Sequence, residues 1–173
     1  MRTVAVLLLV IPLGCDASRE RAPVSSTPTA LTTLTVDAAA LAALDNDSRA
    51  AVARSPVPVL IPKRPELLKV GKVMAEENWY AFHASHDGLT VAVGASKIEH
   101  HHDDIAPTKG KRTVRGVPGF IVQNEGIWSL SWREGGISYS LDLECAEPSE
   151  ARCSNDETLL SIARDLVYVG GVK

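Results

Sequence analysis

The most obvious chemistry in this sequence lies in a Glu-His-His-His-Asp-Asp run at residues 99–104. Imidazole and carboxylate groups together suit zinc, copper or nickel. Alternate residues of an extended chain point to the same side, so His100, His102 and Asp104 could share one ion. The run also lies between two predicted strands, where a plain solvated loop is expected. The sequence leaves both interpretations open: a polar loop, or a divalent-metal or proton-sensing site. That metal is the single cofactor it suggests.

Two cysteines near the C-terminus form a second candidate pair. Cys145 and Cys153 are eight residues apart. A redox-active pair normally has Cys-x-x-Cys spacing, which these residues do not have. In an oxidising compartment an even pair of this kind predicts a structural disulfide. Closing so small a loop stabilises the fold by about 2.5–3 kcal/mol in the chain-entropy picture.

The sequence contains no motif that fixes a reaction. Ser85, His86 and Asp87 have the residue types of a hydrolase triad, but contiguous residues cannot adopt triad geometry, and the run is typical of a turn. Gly-x-Ser-x-Gly, Ser-x-x-Lys, His-Glu-x-x-His and phosphate-binding glycine loops are all missing from the sequence. We therefore expect a protein that is not an enzyme, and an envelope hydrolase is the least favoured alternative.

The N-terminal residues indicate where the protein works. A Met-Arg start, an apolar run at residues 4–13 and Gly14-Cys15 form a signal peptide over residues 1–15. The end of this segment resembles the lipobox of bacterial lipoproteins, with Pro12 where that pattern prefers leucine. We expect export and a lipid on Cys15, which holds the protein to a cell membrane on its periplasmic or extracytoplasmic face. Ordinary cleavage after Ala17 is the alternative, and it also exports the chain.

The rest of the chain divides into a linker and one domain. Residues 16–36 are rich in serine, threonine and proline and cannot form a core. Residues 37–173 predict a single α+β domain with a short helix at 37–54, a β region at 56–144 and a C-terminal helix at 155–168. Within the β region, the proline-rich run 56–62 predicts an edge segment and residues 63–78 look irregular.

Turn signals and alternation predict an antiparallel sheet. Hairpin turns are expected at residues 86–88, 124–126 and 134–136, each of which ends in or contains glycine. Residues 137–144 alternate apolar and polar side chains, as a half-buried strand does. At the C-terminus, Ser154 and Glu157 have capping-box spacing before an apolar helical stripe. The prediction is a sheet of about five to six strands with this helix packed on it.

Three tryptophans lie on predicted strands. Trp79, Trp128 and Trp132 are expected to pack in the core, and the functional alternative is a sheet face that binds an apolar ligand or peptide. The formal net charge of −3 is mildly acidic and does not indicate nucleic-acid binding.

Several short motifs carry a resemblance to known families. In chain order these motifs are residues 55–62, Trp79-Tyr80-Ala81, Val114-Arg115-Gly116, and residues 124–128, 139–145 and 166–171. Over about 55–173 the chain resembles a family of uncharacterised exported bacterial proteins, which implies no activity. More distantly, the order of a proline-rich strand, a Val-Arg-Gly strand, a tryptophan strand and an amphipathic helix is similar to the external domain of some anti-sigma proteins and to periplasmic lipoprotein-carrier folds. That similarity implies a sheet that meets a lipid or peptide.

These observations predict an exported, lipid-anchored binding or sensing module of the cell envelope. Its expected partners are the membrane, through the N-terminal lipid, and a lipid, a peptide or another envelope component, with no nucleic acid. The alternative is a metal-binding envelope protein that uses His100 and His102.

The lipid anchor makes a direct prediction. Two acyl chains hold a domain firmly to a membrane, whereas one chain holds it marginally. We expect Cys15→Ala to move the full-length protein from the membrane pellet to the soluble fraction after cell fractionation. Ser18→Ala, in the linker, is the control and should leave it in the pellet. A Cys15→Ala protein that still pellets would contradict the anchor.

Overall fold

The computed structural model describes residues 34–98 and 110–172 of the 173-residue chain. In chain order the elements are α1 (Ala38–Ala43), α2 (Asn46–Arg54), β1 (Val59–Pro62), α3 (Pro65–Val70), β2 (Lys72–Ala75), β3 (Trp79–His86), β4 (Leu89–Ser96), β5 (Arg112–Val114), β6 (Val117–Asn124), β7 (Ile127–Glu134), β8 (Ile137–Cys145), a 3-10 turn (Ala151–Cys153), α4 (Glu157–Arg164) and β9 (Leu166–Gly170).

The strands form one large and one small antiparallel sheet. The large sheet has seven strands in the order β2-β3-β4-β8-β7-β6-β5, and the small one pairs β1 with β9. The predicted α+β class is confirmed. The sheet is larger than the five to six strands expected, because β2 and β5 add short strands to its two edges.

Two-residue turns join four of the hairpins in the large sheet. Each turn has two consecutive residues with positive φ, the type I′ geometry that matches the twist of the strands. These pairs are Asp87-Gly88, Arg115-Gly116, Glu125-Gly126 and Gly135-Gly136. Three of them lie at the predicted turns. The fourth turn, Arg115-Gly116, was not predicted, because arginine is not a residue that sequence patterns associate with φ near +48°.

One face of the large sheet carries the core, and we call it the inner face. Tyr80, Phe82, Leu130 and Leu141 point to this side and are fully buried. Helices α2, α3 and α4 and the β1–β9 sheet lie against it, and α1 packs on β9 and α3. α4 adds Leu159 and Ile162 to the same apolar cluster. Each strand alternates, so every second residue must point away from this core.

Strand β1 is buried at all four residues and has only one described partner strand. Its other edge needs hydrogen-bond partners, because buried backbone groups without them are costly. At Leu60 the Tyr80 hydroxyl bonds both backbone groups: it accepts a hydrogen bond from the amide nitrogen (3.0 Å) and donates one to the carbonyl oxygen (2.9 Å). Tyr139 donates to the Pro58 carbonyl oxygen at 3.2 Å. Burial raises the pKa of both tyrosines well above the ordinary value, so both hydroxyls keep the proton they donate.

The C-terminal helix is shorter than the predicted 155–168. It ends at Arg164, and residues 166–170 form β9. The apolar residues there fit helical spacing, but Val167, Tyr168 and Val169 favour a strand once β1 is available to pair with them. The predicted capping box is also wrong. Asn155 Oδ1, not a Ser154 oxygen, accepts the Glu157 amide hydrogen at 3.0 Å.

The predicted helix at 37–54 is two short helices. Asp37 caps α1 by accepting from the Ala40 amide at 2.9 Å, and Asp45 caps α2 by accepting from the Ser48 amide at 2.7 Å. A hydrogen-bonded ion pair with Lys72 holds the pKa of Asp45 well below its usual range. The segment 63–78, expected to be irregular, contains α3 and β2. Both are too short to give a clear periodic signal.

The double hydrogen bond of Tyr80 makes a stability prediction. Tyr80→Phe leaves the amide and carbonyl of Leu60 buried without a partner, and we expect it to lower the free energy of unfolding by about 2–4 kcal/mol. Tyr168→Phe is the matched control, because its hydroxyl makes one half-buried bond to Gly171; it should cost less than about 1 kcal/mol. Urea unfolding followed by tryptophan fluorescence measures both. Equal losses of unfolding free energy in the two variants would show that the Tyr80 bonds to Leu60 contribute no more stability than the Tyr168 bond to Gly171.

Candidate functional site

The side of the large sheet opposite the core is covered by no helix among the described residues, and we call it the outer face. Strand register places one row of side chains straight across it. From β2 to β6 this row is Met74, Ala81, Gly94, Ser140, Ser131 and Phe120. Neighbouring strands are about 4.8 Å apart, so the row is about 24 Å wide.

The middle of the outer face is a floor of small side chains. Its central strands β4 and β8 contribute Ala92 and Gly94, and Ser138 and Ser140, and β7 adds serines of the same kind. A Cβ at Gly94 would lie 3.2 Å from the Ser140 Oγ, so even an alanine there would crowd the floor. The floor is therefore low and lined by hydroxyl groups.

Large apolar side chains stand at both sides of this floor. On the β2–β3 side, Met74 is 56% and Trp79 is 38% exposed. On the β6 side, Phe120 is 47% and Val122 is 44% exposed. Exposed apolar groups of this size on two opposite rims are typical of a surface that contacts a partner.

Two depressions lie on the outer face. One has a volume of about 490 Å³ and is lined by Trp79, Ala81, Gly94 and serines of β7 and β8. The other has a volume of about 370 Å³ and is lined by His83, Thr90, Asp142, Glu144 and their neighbours. The first is lined mainly by small and hydroxyl-bearing residues, and the second carries charged residues. A partner would meet a different chemistry at each end of the face.

The structure separates the three tryptophans. Only Trp79 lies on the outer face. Trp132 is 4% exposed on the inner face and stacks on Tyr139, with ring centroids 5.3 Å apart. Trp128 is half-buried on the same side, and its Nε1 donates to the Cys153 carbonyl oxygen at 2.9 Å. Strand alternation turns Trp128 and Trp132 toward the core, which is the packing expected by default and not the ligand-facing alternative. Trp79 departs from the expected core packing, because it is 38% exposed on the outer face.

The Cys145–Cys153 disulfide is present, as predicted. It joins the end of β8 to the 3-10 turn that precedes α4, and both sulfur-bearing residues are buried. With the Trp128 bond to Cys153, it fixes the approach of α4 to the inner face. Its role is structural, and it lies on the opposite side of the sheet from the outer face.

A second cleft, of about 860 Å³, lies where the chain enters the domain. Its charged groups are held in place: Arg115 pairs with Glu134 at 2.8 Å and donates to the Leu166 carbonyl oxygen at 3.0 Å. Arg115 has φ of 48°, a conformation that costs about 1 kcal/mol for an L-residue, and these bonds offset that cost. The pair ties the β5–β6 turn to β9, so we assign it to the fold.

The remaining predicted site residues lie outside the described residues. These are the lipidation residue Cys15 and the metal candidates His100, His102 and Asp104. Within residues 34–98 and 110–172, no group of three His, Cys, Asp or Glu side chains is placed to hold a metal ion. In the same ranges no helix is long and apolar enough to cross a membrane.

Comparison with protein-family models, with curated proteins and with solved structures finds no match. The resemblance to exported bacterial proteins therefore stays a prediction. The outer face is the candidate site on its geometry alone.

Proposed function

We propose that this chain is an exported, lipid-anchored envelope protein that acts as a non-catalytic binding or sensing module. Its contact surface is the outer face of the seven-stranded sheet, and its partner is a protein or peptide. The observation that carries the proposal is the pair of exposed apolar rims, Met74 with Trp79 and Phe120 with Val122, on either side of a small-residue floor.

The chemistry of the floor favours a protein partner over a lipid. An acyl chain needs a continuous apolar channel, because it cannot satisfy hydroxyl groups that it covers. Here the floor between the rims carries Ser131, Ser138 and Ser140, and its far end carries Asp142 and Glu144. A protein surface can place its own polar groups over these side chains and its apolar groups over the rims.

The point where the chain enters the domain is consistent with the outer face as the contact surface. The Asp37 amide donates to the Tyr168 carbonyl oxygen at 2.8 Å, so the linker enters beside β9. β9 belongs to the small sheet on the inner, helix-covered side. The point where the described chain enters the domain therefore lies on the side opposite the outer face.

In-cell photo-crosslinking tests the proposal. Benzoylphenylalanine at Ser131, on the floor, should form a protein adduct in intact cells, whereas the same probe at Ala50, exposed on α2, should not. Ala81→Arg places a long charge in the floor and should abolish the Ser131 adduct. Ala53→Arg, exposed on α2, is the matched control and should leave it unchanged.

Either of two results would contradict the proposal. One is an adduct of equal yield from Ser131 and Ala50. The other is a Ser131 adduct that survives Ala81→Arg in a protein whose unfolding midpoint matches that of the unsubstituted chain. A lipid adduct in place of a protein adduct would favour the lipid-carrier alternative instead.

A further inference from the structure

The two edges of the large sheet differ in how their outward backbone groups are hydrogen-bonded. At the β2 edge, side chains of α2 take the outward backbone groups: the Val73 amide donates to Ser48 Oγ at 3.1 Å, and the Ala75 carbonyl accepts from Arg54 Nε at 3.4 Å. Lys72 adds a charge beside them. This edge is closed to another strand, as natural sheet edges usually are.

The opposite edge is closed over only part of its length. β5 pairs with β6 at three positions, and its first residue, Arg112, lies opposite Gly119. Gly110, the first described residue before β5, packs on the backbone of Gly119, where a Cβ would come within 2.0 Å of the carbonyl oxygen, so it does not pair with residues 120–124. Within the described part of the chain, neither a strand nor a side chain bonds the outward backbone groups of residues 120–124.

These five residues carry none of the usual protections of a free edge. Their sequence is Phe-Ile-Val-Gln-Asn, without charge, proline or glycine. Natural edges are normally blocked by lysine, proline or a bulge, because a free apolar edge pairs with any available strand. Phe120 and Val122 are also two of the most exposed large apolar side chains of the described residues, and both belong to the outer face.

We propose that this free segment of β6 binds an extended, uncharged peptide segment of a partner protein as an added strand. Backbone hydrogen bonds to the outward amide and carbonyl groups of Ile121 and Gln123 supply the affinity, because Phe120, Val122 and Asn124 bond to β7. Alternate apolar side chains of the peptide contact Phe120 and Val122 on the outer face. The inference rests on the proposed function, because it names the form in which the partner meets the β6 rim.

The length of the edge decides between a peptide and a second copy of this chain. Five residues at about 3.4 Å each give an edge of about 17 Å. A stable interface between two folded domains buries about 800 Å² on each partner, which so short an edge cannot supply by itself. An extended peptide needs only the backbone bonds and the two apolar contacts that this segment offers.

The test uses a fluorescein-labelled hexapeptide of alternating valine and threonine, titrated with the full-length chain by fluorescence anisotropy. Because the affinity of an added strand comes from its main chain, this peptide should show saturable binding. Val122→Lys should weaken it by about tenfold or more, since lysine is a natural edge protector. Ala53→Lys, exposed on α2 and outside the outer face, is the matched control, and it should change binding less than about twofold.

A second pair of probes separates backbone pairing from apolar contact. The hexapeptide is methylated on the nitrogens of residues 1, 3 and 5, or of residues 2, 4 and 6. An added strand uses only alternate amides, so one methylated peptide should bind about tenfold more weakly than the other. Equal effects of the two methylations, binding that survives Val122→Lys, or no saturable binding of the parent peptide would each overturn the proposal. A Ser131 photo-adduct that persists in those cases would leave the proposed function standing.

Discussion

The structure depends on how the buried backbone of β1 is satisfied. This strand crosses the interior with β9 on one side and, among the described residues, no strand on the other, so polar groups must come from the large sheet. Tyr80 and Tyr139 provide them, at Leu60 and at Pro58. Both tyrosines must therefore point inward. Because side chains alternate along a strand, the neighbours Trp79 and Ala81 must point outward.

The same constraint gives the large sheet two unlike faces. The inner face is filled by aromatic and aliphatic side chains under the helices and the small sheet. The outer face carries serines, alanines and one glycine between exposed apolar rims, with the charged residues Asp142 and Glu144 at one end. The described chain enters the domain on the inner side, beside β9. Among the described residues no strand pairs with residues 120–124 on the side away from β7, and this edge adjoins the outer face.

The local parts of this fold could be predicted from the sequence, and the non-local parts could not. Asp87-Gly88 and the alternation of residues 137–144 specify hairpins, because they act over a few neighbouring residues. The Cys145–Cys153 disulfide followed from spacing and compartment. The β1–β9 pairing joins residues more than one hundred positions apart, and without it the apolar run 166–170 reads equally well as the end of a helix.

The candidate site was predicted in outline only. The sequence favoured core packing for Trp79, Trp128 and Trp132 alike, with a ligand-binding sheet face as the alternative. The structure places these two on the inner face, where Trp132 stacks on Tyr139. The serine floor could have been found from the polar positions of β7 and β8, but only after the core side of each strand was known. The Arg115-Gly116 turn had no such signal, since its geometry is stabilised by the distant partners Glu134 and Leu166.

Hydroxyl-radical footprinting of the protein in its own cell envelope tests the central claim most directly. Met74, Trp79 and Phe120 are reactive, exposed and confined to the outer face, whereas Tyr168 is half-buried on the helix-covered side. We expect oxidation of the three outer-face residues to fall together in the envelope relative to the purified full-length chain, with Tyr168 unchanged. Equal oxidation of Met74, Trp79 and Phe120 in both samples would show that nothing binds the outer face, and would contradict the account.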